Sequence, residues 1–177
     1  IQNVLCTPPP EWDFSTGKSP VSPGHQSKAG GLEIYLDDIR SPFNVGSIFR
    51  TAEALGVSRI LLSPDCPSPE HRRTQRSSMG CTGLVCWERA GKDELFKRDD
   101  VFALELGGTV IDEFPFPQAG LAVIGSEELG ISPEARKAAS TGLGLVSIPV
   151  SGVKGSINVS VAFGILMHRW NSFLKVG

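Results

Sequence analysis

A change of hydrophobic period within residues 32–63 constrains the fold of this chain more than any other feature. Residues 32–36 are almost entirely apolar and predict a strand, whereas residues 44–56 carry apolar side chains at helical spacing and end in a glycine. A second apolar strand is predicted at residues 59–63. Because a helix between two strands connects parallel neighbours, we expect a parallel sheet with helices on both of its faces.

The remainder of the chain repeats this alternation. Further strands are predicted at residues 84–87, 101–106, 121–124 and 145–150. The charged segment 91–100 predicts an exposed helix, and Ser132 followed by proline predicts the start of another. The predicted fold class is therefore α/β with a mainly parallel sheet. We assign residues 31–177 to this domain and the Pro-, Ser- and Gly-rich residues 1–30 to a linker or N-terminal extension.

Composition limits the partners that the chain can have. Its formal net charge is -2, which argues mildly against a general nucleic-acid binder, so RNA binding would need a local basic patch. No apolar run reaches the roughly 20 residues that cross a bilayer, so we expect no membrane span. The four cysteines form no CxxC pair, so we expect no metal site. We expect the cysteines to be free thiols, as in a cytoplasmic protein. Because the chain begins with Ile1 rather than Met, we expect it to be part of a longer protein.

A cluster of arginines supplies one candidate for such a basic patch. Arg72, Arg73 and Arg76 lie within the segment EHRRTQRSS. A run of this kind is often only a solvated face. The functional alternative is a loop that contacts the phosphates of RNA.

Three of the predicted strands end in glycine-rich loops. Their sequences are LELGG, VIGSEELG and IPVSGVKGS. Ligands of open parallel sheets bind outside the carboxyl ends of the strands, so three such loops predict one pocket lined by backbone. None of the loops has the Gly-Lys-Ser/Thr of a phosphate-binding loop, and the first strand is not followed by GxGxxG. A phosphate-binding site and a dinucleotide site are therefore both unsupported.

The helix predicted at residues 44–56 carries Gly46 and Arg50 one turn apart. A glycine inside a helix costs up to about 1 kcal/mol relative to alanine, so we expect either the Arg50 side chain or a ligand to approach it closely. The spacing leaves open whether Arg50 forms a structural salt bridge or takes part in chemistry. Asn44 is predicted to be the N-cap of this helix.

Three longer motifs resemble those of the SpoU (TrmH) family of RNA ribose 2′-O-methyltransferases, which belong to the SPOUT class. They are SPFNVGSIFRTAEALGV, AVIGSEELGIS and SIPVSGVKGSINVSVAFGI, in the order and at the spacing typical of the family. The resemblance covers about residues 32–170. Two conservative departures are Ile157, where leucine is usual, and Val150, where methionine is common.

The resemblance implies a specific architecture and cofactor. The C-terminal part of the α/β domain is expected to form a trefoil knot that binds S-adenosylmethionine. Gly125, Ile148 and Ile157 match positions that hold this cofactor, and Leu106 is expected to form part of the wall of the cofactor pocket. The implied partners are an RNA substrate, either tRNA or rRNA, and a second copy of the chain in a homodimer.

The resemblance also assigns the polar residues of the site, which are Asn44, Arg50, Glu127, Ser156 and Asn158. Arg50 matches the arginine held to activate the ribose 2′-hydroxyl. Because the pKa of arginine lies above about 12, we interpret its role as orienting the hydroxyl and stabilising the developing alkoxide. Glu127 would position Arg50 or organise the Asn44 loop. Ser156 and Asn158 would brace the third loop, and simple helix capping is the alternative for both.

Two alternatives to ribose methylation remain open at this point. One is a base-modifying SPOUT methyltransferase, and the other is a non-catalytic RNA-binding relative.

The last helix, from about residue 158 onward, is apolar on nearly every side, which predicts that it is buried and that one face meets a second subunit.

Overall fold

The computed structural model describes residues 31–176, so the prediction for residues 1–30 lies outside the described part of the chain. Six strands form β1 (Leu32–Leu36), β2 (Arg59–Leu62), β3 (Cys86–Arg89), β4 (Val101–Val110), β5 (Gly120–Ile124) and β6 (Gly144–Ser147). The α-helices within the same residues are α1 (Pro42–Ala54), α2 (Arg72–Ser78), α3 (Pro133–Thr141) and α4 (Val159–Val176). Short 3-10 helices cover Cys81–Gly83 and Lys92–Lys97.

All neighbouring strands of the sheet run parallel, in the order β3-β2-β1-β5-β4-β6. The prediction of an α/β fold with a mainly parallel sheet is therefore confirmed. β1 pairs with β2 on one side and with β5 on the other. In such sheets ligands bind where the strand order reverses, so the carboxyl ends of β1 and β5 are the expected border of a site. The trefoil knot stays a prediction.

Helices cover both faces of the sheet. On one face α1 and α4 bury an apolar cluster that includes Ile34, Phe163 and Trp170. On the other face α3 and the second 3-10 helix pack against a cluster that includes Tyr35. Ile34 and Tyr35 are consecutive residues of β1 and belong to different clusters, so β1 is buried on both faces, as strands of a parallel sheet usually are.

Helix α4 buries only part of its apolar surface. Phe163 and Trp170 lie in the core, whereas Val161, Ile165 and Phe173 keep 52%, 38% and 40% of their surface exposed. The all-round apolar pattern therefore predicted burial correctly for one face, and the other face presents apolar side chains to the surroundings of the chain.

Across residues 31–176, the helices are too short or too polar to traverse a bilayer.

Helix α1 begins at Pro42, two residues before the predicted start. Ser41 is the N-cap, and its hydroxyl accepts a hydrogen bond from the Asn44 backbone N–H at 3.5 Å. Proline fits the first turn because the N–H that it lacks would have no partner within the helix. The prediction of Asn44 as the N-cap was therefore wrong, and the Asn44 side chain is available for contacts outside the helix.

The other differences from the predicted boundaries concern the ends of strands. β4 continues through Gly107 and Gly108 to Val110 instead of ending at residue 106. A Cβ on Gly108 would lie closer than 3 Å to the backbone of Leu145, so this glycine permits close packing of β4 and β6. β6 ends at Ser147 rather than at residue 150. The helix predicted at residues 91–100 is a short 3-10 helix.

Gly46 marks the point where α2 crosses α1. A Cβ on Gly46 would lie closer than 3 Å to the Ser77 hydroxyl, to the Thr74 carbonyl oxygen and to the Ser78 backbone nitrogen. The prediction that Arg50 or a ligand approaches this glycine was wrong, because the backbone of α2 takes that position. Gly46 therefore allows the arginine-bearing helix α2 to pack directly on α1.

Replacing Gly46 by alanine is expected to destabilise the chain by about 1–3 kcal/mol, because the backbone of α2 must move away from the new methyl group. Urea unfolding of the wild-type chain and the variant measures this difference. The matched control is Gly164→Ala in α4, where a Cβ would make an ordinary 3.8 Å contact with the Thr51 methyl group. The control should be neutral or slightly stabilising, by up to about 1 kcal/mol. Equal stabilities for both variants would contradict the close approach of α2.

Candidate active site

A cavity of about 540 Å³ opens beside the middle of β4 and the carboxyl ends of β5 and β6. Its walls are formed by residues 104–106, by residues 124–130 and by residues between 148 and 162. These segments contain or adjoin the three glycine-rich sequences that were predicted to be loops. The first of them, LELGG, lies within β4 instead, but the fold brings all three together around one space. A cavity of this size falls within the range of about 300–1,000 Å³ that is usual for small-molecule sites.

All four residues predicted to hold the cofactor line this cavity. They are Leu106, Gly125, Ile148 and Ile157. Gly125 is buried at the end of β5, and a Cβ there would lie closer than 3 Å to the backbone of Gly130 and Ile131. Paired backbone hydrogen bonds between Ser126 and Gly130, at 2.9 and 3.1 Å, close the same loop. The second loop is therefore compact because residue 125 has no side chain.

Glu127 connects this second loop to the start of α1. Its carboxylate accepts hydrogen bonds from the backbone N–H groups of Arg40 and Ser41, at 2.9 and 3.1 Å, and from the Asn44 side-chain amide at 2.7 Å. Burial raises the pKa of Glu127, but the hydrogen bonds from Arg40, Asn44 and Ser41 outweigh this effect and hold the pKa below its ordinary value. Glu127 is therefore an ionised acceptor at neutral pH rather than an acid.

Asn44 extends this connection to the third loop. While its amide nitrogen donates to Glu127, its amide oxygen accepts a hydrogen bond from the Asn158 side chain at 3.2 Å. The Asn158 side-chain oxygen accepts from the backbone N–H groups of Ser160 and Val161, at 3.0 and 3.3 Å, and so caps α4. Glu127, Asn44 and Asn158 form a hydrogen-bonded relay that joins three separate segments, and two of its members line the cavity.

The other two predicted polar residues differ in position. Ser156 lines the cavity. Arg50 is exposed on α1, lies outside the cavity and makes no hydrogen bond or ion pair with residues 31–176. Burial raises the pKa of the Cys81 thiol, and the charge of nearby Arg50 partly opposes that effect, which places Arg50 beside the 3-10 helix that follows α2. A structural salt bridge of Arg50 is therefore not found within the described part of the chain.

Two buried or half-buried carboxylates were missed by the sequence reasoning. Glu105 accepts hydrogen bonds from the backbone N–H groups of Leu106 and Ile131, at 2.9 and 3.1 Å, and ties β4 to the second loop. Asp37 is buried after β1 and accepts a hydrogen bond from the Ser132 backbone N–H at 2.6 Å. The available signal was an acidic residue within or directly after an apolar strand, because such a charge needs partners when it is buried.

The predicted RNA-contacting arginines lie away from the cavity, on helix α2 rather than on a loop. Thr74 and Ser78 are buried against α1, whereas Arg72, Arg73 and Arg76 are exposed. Among the described residues, none of these three arginines forms an ion pair with a carboxylate. They therefore present uncompensated positive charge on one surface of the domain.

Solved structures of RNA methyltransferases share this fold. A TrmH-family protein from Porphyromonas gingivalis superposes with a TM-score of 0.71 and is 31% identical, covering 80% of this chain and 59% of that chain. An AdoMet-bound rRNA methyltransferase from Sinorhizobium meliloti superposes with a TM-score of 0.74 and is 26% identical, covering 84% of this chain and 58% of that chain. The sheet and its cavity thus define an α/β domain of the methyltransferase class.

Residues 31–168 match the profile of the SpoU rRNA Methylase family, and the chain belongs to that family. It is 34% identical over 158 residues to the 23S rRNA (adenosine(1067)-2'-O)-methyltransferase of Streptomyces azureus, covering 85% of this chain and 58% of the relative. It is 29% identical over 145 residues to an uncharacterized tRNA/rRNA methyltransferase of Synechocystis, covering 78% of this chain and 52% of the relative. The chain therefore spans just over half the length of these curated relatives.

Proposed function

We propose that the chain transfers a methyl group from S-adenosylmethionine to a ribose 2′-hydroxyl of RNA, either tRNA or rRNA. The observation that carries this proposal is the relay of Glu127, Asn44 and Asn158 beside a cavity lined by the three glycine-rich segments. The similarity to relatives that are named as tRNA or rRNA methyltransferases supports the same reaction. The proposed place of action is the cytoplasm.

The residues of the cavity fit S-adenosylmethionine. Gly125 lets the backbone of Gly130 and Ile131 pack against it, which keeps the second loop compact at the cavity wall. Leu106, Ile148 and Ile157 supply apolar surface for an adenine ring, and the carboxylates of Glu105 and Glu127 adjoin the same space, where they favour a cation. When bound, S-adenosylmethionine supplies a methyl group that its sulfonium already activates.

The polar residues of the chain would then position the RNA. Glu127 and Asn158 hold Asn44 from both ends of its amide, which fixes the entrance of the cavity. Arg50 would orient the ribose hydroxyl and stabilise negative charge on its oxygen, because a permanently protonated guanidinium is a donor and not a base. Ser156 is placed to contact the donor or the ribose at the cavity wall.

A homodimer accounts for the position of Arg50. This residue lies outside the cavity of its own chain, and the exposed apolar residues of α4 offer a surface for a second copy. We propose that two chains associate through α4 and that Arg50 of one copy faces the cavity of the other. The centre of such an interface is usually rich in apolar side chains and poor in charged ones.

Transfer to RNA can be tested directly with labelled S-adenosylmethionine. The chain is incubated with the labelled donor and total RNA, and the RNA is digested to nucleosides. We expect label in 2′-O-methyl nucleosides. Label in methylated bases would instead favour a base-modifying enzyme. Donor binding without transfer to any of several RNAs would favour a non-catalytic RNA-binding relative.

Replacing Arg72 and Arg73 together by alanine is expected to weaken RNA binding and to reduce its salt dependence. With single-stranded RNA, each lost phosphate contact should lower the slope of log K against log salt by about 0.7. The control is Lys137→Ala, which removes an exposed positive charge on the opposite face of the sheet and should change neither quantity. Unchanged affinity and slope in the double variant would assign these arginines to a solvated surface.

A further inference from the structure

We propose that Phe43 and Arg73 form a stacking site for an unpaired nucleobase of the RNA, beside the nucleotide that is methylated. This inference rests on the proposed function and adds to it a substrate class, namely RNA whose nucleotides around the target are single-stranded.

Phe43 is an aromatic residue that the core does not use. It occupies the second position of α1, keeps 52% of its surface exposed and belongs to neither apolar cluster of the described residues. The guanidinium of Arg73 lies over its ring, 6.0 Å from the centroid. One face of the ring thus meets a planar cation, and a base can stack against the exposed remainder of the ring. Sandwiches of aromatic rings and guanidinium planes are the usual way in which proteins hold unstacked bases.

The ring also lies at the right place relative to the candidate active site. The next residue, Asn44, belongs to the relay that connects Glu127 and Asn158 at the cavity. Phe43 and Arg50 are seven residues apart, so they share one side of α1 at an axial separation of about 10.5 Å. A nucleotide whose ribose lies beside Arg50 would therefore bring its own base, or that of its neighbour, within reach of Phe43 on the same helix.

The charge around Phe43 selects RNA as the occupant. Arg73 lies over the ring, and Arg72 and Arg76 are exposed on the same helix α2; all three lack carboxylate partners among the described residues, although the chain as a whole is acidic. An apolar protein partner would gain nothing from three uncompensated cations, whereas the phosphates that flank a stacked base would. Base stacking is tolerant of sequence but requires an unpaired base, so the site favours a loop, a bulge or a single strand over a duplex.

The test compares three variants of the chain in binding to a fluorescein-labelled single-stranded oligouridine. Phe43→Leu keeps an apolar side chain but removes the ring, and we expect about a tenfold weaker affinity with an unchanged salt slope. Phe43→Trp keeps a stacking face and should bind like the wild type. Phe96→Leu is the matched control, because Phe96 is 48% exposed and lies 5.9 Å below the Lys137 ammonium on the other face of the sheet. It should also bind like the wild type.

Three results would overturn the inference. The first is wild-type affinity for the oligouridine in Phe43→Leu, and the second is an equal loss of affinity in Phe43→Leu and Phe43→Trp. The third is a change of sedimentation coefficient in Phe43→Leu, which would place the ring between two copies of the chain. The transfer assay with the wild-type chain is independent of these measurements. If the wild type methylates RNA and Phe43→Leu binds normally, only the stacking site fails. If the wild type transfers no methyl group while Phe43→Leu loses affinity, the stacking site stands and the proposed reaction fails.

Discussion

Replacing Arg50 by alanine is expected to slow methyl transfer to RNA by at least about two orders of magnitude, the effect of losing a donor to a developing oxyanion. Affinity for S-adenosylmethionine should remain unchanged, because Arg50 does not line the cavity. Single-turnover transfer with labelled donor measures the first quantity, and calorimetric titration of the donor measures the second. Near-normal transfer in this variant would remove Arg50 from the proposed mechanism.

Two further measurements sharpen the role of Arg50. Arg50→Lys keeps the charge but loses the planar fork of donors, so it should recover only part of the lost rate. If Arg50 acts on the cavity of a second copy, mixing Arg50→Ala chains with chains that cannot bind the donor should restore transfer, since mixed dimers regain one complete site. Absence of recovery in the mixture would show that Arg50 serves its own chain.

The second large effect is expected at Gly125. A Cβ at this position would collide with the backbone of Gly130 and Ile131, so Gly125→Ala must displace the loop that carries Glu127. We expect about a 100-fold slower transfer, as for a displacement of about 1 Å in a catalytic constellation. Donor binding should weaken, and the free energy of unfolding should fall by about 1–3 kcal/mol.

The control for Gly125 is Gly152→Ala in the third loop. A Cβ on Gly152 would meet no atom within 4 Å, and this glycine does not line the cavity. Donor titrations and urea unfolding of both variants should therefore separate a specific steric effect from a general cost of replacing glycines. Normal donor binding by Gly125→Ala would show that the compact second loop does not form the cofactor wall.

Local sequence patterns predicted the layers of the fold because buried side chains recur at a regular spacing along each strand and helix. The apolar run of β1 and the helical spacing of α1 both follow from which side chains face the core. The start of α1 was predicted two residues late, because Asn44 and Ser41 are equally good capping residues and only the structure shows which one is used. The glycine at residue 46 was recognised as unusual, but the element that approaches it comes from α2, about 30 residues later.

The relay could not be predicted from spacing. Asn44 is 83 residues from Glu127 and 114 residues from Asn158, so no local pattern links them. Their common location followed only from the resemblance of the three motifs to one family. Glu105 and Asp37 were missed because the groups that donate hydrogen bonds to them are backbone N–H groups, which every residue except proline carries and which therefore leave no mark on the sequence.

The order in which the cavity walls occur along the chain has a consequence for biosynthesis. The strands that surround the cavity are already made when the last wall, residues 155–162, is synthesised together with the first turn of α4. Domains fold progressively as they are translated from the N-terminus. A nascent chain that stops at residue 154 would hold all six strands but would lack Asn158 and the Phe163 and Trp170 side chains of the core. On the proposed function, the site for the methyl donor would thus be completed last during synthesis.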